Sequence, residues 1–181
     1  VKTDIHREVE ALGIEEYFIG GHPMAGSEKS GYVNSKAMLI ENAYFVLTPS
    51  EKVPQEKIAR YTDFVQALHA IPVLLNYQDH DYVTGTISHL PHIIASSLVN
   101  FVRDTDTRDE LMKNLAAGGF KDITRIASSS PVMWQHICLK NKDNLLKILD
   151  EYIRLLSSAR EMIDQEDEQG NEHSQAKKAP F

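Results

Sequence analysis

Hydrophobic positions change their spacing midway along the chain. In TDIHREVEAL, Ile5, Val9 and Leu12 recur at helical intervals, with Thr3 or Asp4 as candidate caps and Gly13 as the stop. EYFIGGHP is a short aromatic and aliphatic run that halts at glycines, the signature of a strand running into a loop, and AYFVLTP at 43–49 repeats it. A helix is predicted after Pro54, whose fixed φ suits a first turn, because Ile58, Tyr61, Val65 and Leu68 share one face. IPVLLN then returns to strand character. Strand, helix, strand is the arrangement of an α/β layer.

After Asn76 the strand signal stops. YVTGTISHLPHIIASSLVNFV, KNLAAGGFKDITRIASSS, PVMWQHICLK and NLLKILDEYIRLLSSAREMI all carry helical patterns, so residues 1–78 are predicted as an α/β unit and 79–164 as an all-α unit. The last helix turns Leu145, Ile148, Leu149, Tyr152, Leu156, Ala159 and Ile163 to one side. That face is broader than a lone surface helix exposes, and a partner helix, from a second subunit for example, is expected to cover it. Residues 165–181 are polar and charged up to the terminal Phe181 and read as a linker or tail.

Composition narrows the function classes. With 42% hydrophobic and 25% charged residues, the chain has the make-up of a soluble globular protein able to bury a core. A net charge of -7 opposes nucleic-acid binding, and an anionic small molecule would need local cations. No apolar run reaches the ~20 residues of a membrane span and the start carries no basic-plus-apolar leader, so a cytoplasmic address is expected. Cys138 is the only cysteine, lacks CxxC spacing, and is read as a small core residue.

Three clusters carry chemistry. GGHPMAGSEKSG, residues 20–31, sets His22 at the end of a predicted strand, where α/β proteins bind ligands; the glycines let backbone approach closely and Pro23 stiffens the next position. An imidazole there can exchange a proton near neutral pH, or it can simply hydrogen-bond a loop. In SHLPH, residues 88–92, His89 and His92 are three apart and share a helix face, although Pro91 can kink it. Such a pair can bind a hydroxyl or carboxylate, ligate a metal, or form a polar core pair; HxxH alone lacks the third ligand that zinc wants, and no metal is assigned. His80, nine residues before His89, falls on the far side of an unbroken helix, which suits a supporting or packing role. In GGFKDITRIASSSPVMW, Gly118 and Gly119 interrupt the helices, Lys121 and Arg125 lie at i and i+4, and Asp122 lies three before Arg125. The guanidinium can grip a carboxylate with two bonds, or belong to a surface ion pair. Trp134 is read as core or pocket wall.

HPMAGSEKSG, SHLPH and GGFKDITRIASSSPVMW, in this order and at these separations, resemble the prephenate dehydrogenases of tyrosine biosynthesis, from residue 1 to about residue 163. The resemblance implies the C-terminal part of a Rossmann-like NAD-binding domain, then a helical substrate-binding domain through which two subunits pair. It implies NAD-dependent oxidative decarboxylation of prephenate to 4-hydroxyphenylpyruvate, with tyrosine as feedback inhibitor. By motif position, His22 matches the catalytic histidine, Arg125 the substrate-binding arginine, and His89, His92, Gly118 and Trp134 positions at the substrate. Glu28 and Asp122 match an ionic gate with Arg125, while His80, Ser27 and Lys29 support the site. His22 and Arg125 are thus expected to face a common cavity.

The chain also departs from the pattern. It holds no GxGxxG turn, and the serine of the family's Gly-Ser-Val-Lys element would fall one position before Val1. A fragment, inactive alone, is therefore expected, and the tail ending KKAPF resembles the join to an ACT domain in some family members. Arogenate dehydrogenase, whose substrate bears an amino group in place of the keto oxygen, a non-catalytic dimerisation module and a metal-dependent hydrolase are the alternatives.

Overall fold

In the computed structural model, residues 1–26 and 31–165 are described. Helix α1 (Thr3–Ala11) ends where Gly13 turns the chain at φ 67°. Strand β1 (Ile19–Pro23) then pairs antiparallel with β2 (Tyr44–Pro49), placing His22 opposite Val46. Helix α2 (Gln55–Ala67) carries the chain back so that β3 (Ile71–Leu74) lies parallel to β2, completing a three-stranded sheet in the order β1-β2-β3. The β2-α2-β3 unit is the crossover that the sequence pattern predicts.

Val65 of α2 packs on Leu47 and Ala70, flanked by Ile19, Phe45 and Tyr61. Leu47 and Val65 are fully buried, and such a side chain stabilises by ~1.5–3 kcal/mol. β1 can press this closely on β2 because residue 20 is glycine: a Cβ there would overlap Thr48 Oγ1.

The face that α1 buries differs from the one predicted. Val9 is buried, but Ile5 and Leu12 are 47% and 69% exposed while His6 is buried. His6 stacks on Tyr77 with ring centroids 4.4 Å apart, and its two nitrogens meet Thr48 Oγ1 at 3.1 Å and Ser50 Oγ at 3.3 Å. With both polar atoms satisfied, its burial costs little. Nor does the side chain of Thr3 or Asp4 cap the helix; a carboxylate distant in sequence, that of Asp81, does so.

Asn76 opens α3 (Tyr77–Thr84), its side chain accepting from the Asp79 amide at 2.7 Å. A π turn over Gly85–His89 joins α3 to α4 (Leu90–Thr105). Then follow α5 (Leu111–Leu115), α6 (Gly118–Thr124), a 3-10 turn at Arg125–Ser128, α7 (Pro131–Lys140) and α8 (Lys142–Asp164). Gly118 thus begins a helix rather than interrupting one. Among the described residues no strand follows β3.

Of the apolar face predicted for α8, Leu145 and Ile148 are buried, whereas Leu156 and Ile163 stand 53% and 66% exposed. Cys138 is only half-buried, and burial still pushes its thiol pKa up. Among the described residues no helix is long and apolar enough to cross a membrane.

Candidate active site

His22 stands at the end of β1, and its Nδ1 lies 2.8 Å from Nε2 of the buried His80 on α3. His80 Nδ1 lies 2.8 Å from Asp81 Oδ1. Asp81 is fully buried, and it also accepts from the Lys2 amide at 2.7 Å, the Thr3 amide at 2.8 Å and Thr3 Oγ1 at 2.6 Å. A carboxylate at a helix N-terminus meets free amides and the positive end of the helix dipole. Asp81 is therefore both the cap of α1 and the terminus of a His-His-Asp chain. Burial alone would raise its pKa, yet the bonds from His80, Thr3 and Lys2 outweigh that and hold it well below the usual carboxylate range.

With a neutral His80, hydrogen-bond valence sets the tautomers along this chain. An ionised carboxylate only accepts, so His80 carries its proton on Nδ1 and offers a lone pair at Nε2. His22 must then donate from Nδ1, which leaves Nε2 of His22 as a free lone pair. Burial first, and then the neighbouring His80 ring and the positive charge of Lys2, push the His22 pKa down to about 4, so the ring is neutral at physiological pH. Lys2 also clamps the end of β1 by donating from Nζ to the Gly21 carbonyl at 2.7 Å.

His89 closes the π turn, buried, its pKa pushed down to about 4, chiefly by burial. It lies near enough for its charge to depress His22. The sequence expectation that His80 and His89 face opposite ways assumed an unbroken α-helix. The π turn between them inserts an extra residue per turn and swings His89 round toward the same region.

His92, one turn on, stacks on Trp134 with ring centroids 3.6 Å apart and an interplanar angle of 13°, and His89 meets the same indole edge-on at 6.0 Å. Among the described residues, His92 Nε2 and Trp134 Nε1 are buried without a hydrogen-bond partner. Buried polar atoms left unpaired are costly, and a ligand can satisfy them. Burial also lowers the His92 pKa.

Not every predicted site residue joins these. Asp122 and Arg125 are exposed on α6 and the 3-10 turn, and a side chain at Gly118 would meet open space. Within one chain, then, Trp134 reaches the histidines while the Arg125 segment lies at the surface. Ser27, Glu28 and Lys29 lie outside the described residues. Among the described residues no group of three metal-ligating side chains is assembled. Two residues that the sequence reading passed over, Asp81 and Asn141, anchor the cluster; the DHD run at 79–81 is a local hint of the first, and nothing local marks the second.

The fold and the site first define a class: an α/β layer of nucleotide-binding type continued by a helical layer, with imidazoles gathered where a strand end meets the first helices. Within that class, residues 1–74 match the family model described as prephenate dehydrogenase, nucleotide-binding domain, and residues 76–174 match prephenate dehydrogenase, dimerization domain. The chain belongs to the prephenate dehydrogenase family. It is 47% identical over 150 residues to prephenate dehydrogenase of Bacillus subtilis (strain 168), an alignment covering 83% of this chain and 40% of that protein. It is 41% identical to the prephenate dehydrogenase of Lactococcus lactis subsp. cremoris, over 89% of this chain and 44% of the relative. Among solved structures, prephenate dehydrogenase from Aquifex aeolicus, in complex with hydroxyphenyl propionate and NAD+, superposes with a TM-score of 0.86 at 34% identity, covering 93% of this chain and 59% of that one. Synechocystis arogenate dehydrogenase superposes with a TM-score of 0.81 at 30% identity, covering 90% of this chain and 59% of that one. The chain thus spans less than half the length of these two curated relatives.

Proposed function

We propose that this chain contributes the catalytic base and part of the substrate pocket of an NAD-dependent prephenate dehydrogenase, which converts prephenate to 4-hydroxyphenylpyruvate and carbon dioxide. The observation that carries this reading is the His22-His80-Asp81 chain, which leaves one unprotonated imidazole nitrogen at a strand end.

In this reaction a hydride leaves the ring carbon that bears the hydroxyl, a carboxylate leaves as carbon dioxide, and the ring becomes aromatic. NAD, when bound, supplies the hydride acceptor. The residues present fit the reacting end of such a cofactor: β1 is held by Lys2 and carries His22 just before its last residue, Pro23. The sequence has no GxGxxG turn, so no residue of this chain is assigned to the phosphates.

His22 Nε2 accepts the substrate's hydroxyl hydrogen. A group with a pKa of about 4 is a weak base, but the hydroxyl becomes strongly acidic as hydride departs, so a weak base suffices and stays unprotonated at neutral pH. As Nε2 takes the proton, Nδ1 can pass its own to His80 Nε2, which brings the positive charge directly against Asp81. The proton returns to the ring oxygen as the phenol forms, and His22 ends as it began. Trp134 and His92 form a wall for the ring and supply unpaired nitrogens for its polar groups, with His89 beside them.

Arg125 is the cation proposed for a substrate carboxylate, with Glu28 and Asp122 at the entrance, Gly118 near the ligand, and Ser27 and Lys29 in support. Since Arg125 is exposed in one chain, pairing with a second copy through the helical residues 79–164 is part of the proposal. The exposed Leu146, Ile153, Leu156 and Ile163 of α8 supply apolar surface for it. Tyrosine as an inhibitor and a cytoplasmic location complete the reading, with residues 1–78 as the nucleotide-binding part and 165–181 as a linker.

The test is His22→Asn in a form carrying a complete nucleotide-binding domain, followed by NADH absorbance with prephenate and, separately, arogenate. kcat should fall by ~10²–10⁴ with prephenate. Unchanged turnover would overturn the assignment, and preferential use of arogenate would redirect it to that substrate.

A further inference from the structure

Asn141, at the junction of α7 and α8, is buried, and its side-chain amide is held by polar contacts. Its Nδ2 lies 2.8 Å from the Asp81 carbonyl oxygen and 3.1 Å from His89 Nδ1, and its Oδ1 accepts from Asn144 Nδ2 at 2.9 Å. The amide cannot be turned over. A backbone carbonyl only accepts, so the atom facing it must be the nitrogen, and that same nitrogen presents its second hydrogen to His89. His89 Nδ1 therefore accepts, and the ring proton sits on Nε2. Residue 85 is glycine at the point where this contact forms: a Cβ there would stand 3.1 Å from Asn141 Nδ2 and 2.9 Å from Ile148 Cδ1, crowding α8 away from the π turn.

The neighbouring imidazole has the opposite sense. Through His80, the Asp81 carboxylate makes His22 a donor at Nδ1 and an acceptor at Nε2. Asp81 thus serves both rings, with its carboxylate orienting His22 and its carbonyl holding the amide that orients His89.

We propose that Asn141 is a positioning residue that fixes His89 as an Nε2–H donor, so that two nearby imidazoles present opposite hydrogen-bond polarity to one hydroxylated, anionic substrate. His22 takes the hydroxyl hydrogen, while His89 donates to a carboxylate or keto oxygen and cannot compete for that hydrogen. The substrate part rests on the prephenate reading above; the tautomer assignment does not.

The experiment is ¹⁵N NMR of the histidine rings in the ligand-free chain at pH 7, which distinguishes protonated from unprotonated ring nitrogens. His89 is expected with its proton on Nε2, and His22 with its proton on Nδ1. A His89 proton on Nδ1, or an even mixture, overturns the proposal whatever the enzyme does. In Asn141→Asp, the carboxylate that replaces the amide nitrogen can only accept, and His89 should move its proton to Nδ1 or become charged. An Nε2–H tautomer unchanged in a folded Asn141→Asp chain also overturns it; if that variant fails to fold, the wild-type tautomer still decides.

In the form with a complete nucleotide-binding domain, Asn141→Asp should raise KM for prephenate roughly tenfold or more, with a smaller fall in kcat, because a ground-state donor is lost. A fall in kcat alone would refute the donor role while leaving the His22 assignment standing. Conversely, full activity in His22→Asn would end the prephenate reading without touching the tautomer of His89.

Discussion

Mild acid should destabilise this chain before its carboxylates titrate. His22 and His89 each have a folded pKa of about 4 against an ordinary 6.5, so the unfolded chain binds more protons between those values. Stability therefore rises with pH across that window: the contribution is complete above about 6.5 and is lost as pH falls toward about 4. Worked through the linkage relation, each histidine costs about 2 kcal/mol at pH 5 relative to pH 8. Because the two rings interact, the pair amounts to roughly 2–4 kcal/mol, a large share of the 5–15 kcal/mol typical of a domain. Asp81, whose pKa is depressed from an ordinary 3.8, releases its own contribution only at lower pH, so the loss above about 4 belongs to histidines. Urea unfolding followed by circular dichroism at pH 7.5, 6 and 5 measures the slope, and NMR titration of the rings assigns it. Equal urea midpoints at pH 7.5 and 5, or a His22 ring titrating near 6.5, would refute the burial and relay geometry from which the sign was derived.

Asp81→Asn should lower stability by about 2–4 kcal/mol, since the amide nitrogen must face one of the donors that converge on the carboxylate; a melting temperature within a degree of wild type would contradict this. In the form with a complete nucleotide-binding domain it should also cut kcat by ~10² or more, because His80 is no longer held to one tautomer. Gly20→Ala should cost ~1–3 kcal/mol through its overlap with Thr48 Oγ1, whereas Gly118→Ala, which meets open space, should stay within ~0.5 kcal/mol; parallel denaturant curves distinguish them, and equal costs would refute the packing described.

Much of the fold was legible because local patterns decide it. Ile58 and Val65 on one face of α2, with strand runs on either side, leave little choice but a crossover. His6 shows where periodicity misleads: apolar spacing on α1 favours Ile5 and Leu12, but hydroxyls from β2 and the following turn satisfy both nitrogens of His6, and so the imidazole goes inside. The relation of His80 to His89 failed for a similar reason. Counting at 3.6 residues per turn sets them on opposite sides, and the π turn at Gly85–His89, which no residue pattern announced, undoes the count.

The candidate site divides along the same line. Motif order points to His22, His89, His92 and Trp134, but it does not say which nitrogen of each ring carries a proton. That depends on partners far away in the chain: Asp81 takes the amides of Lys2 and Thr3 from 79 and 78 residues off, and Asn141 reaches His89 across 52. Each of those partners has one chemical option, a carboxylate or carbonyl that only accepts, or an amide nitrogen that only donates. Once folding sets them in place, the polarity of the imidazoles follows without further choice. Substituting either anchor should therefore change chemistry at rings that it never replaces, and side-chain identity at the histidines alone is too little to specify the site.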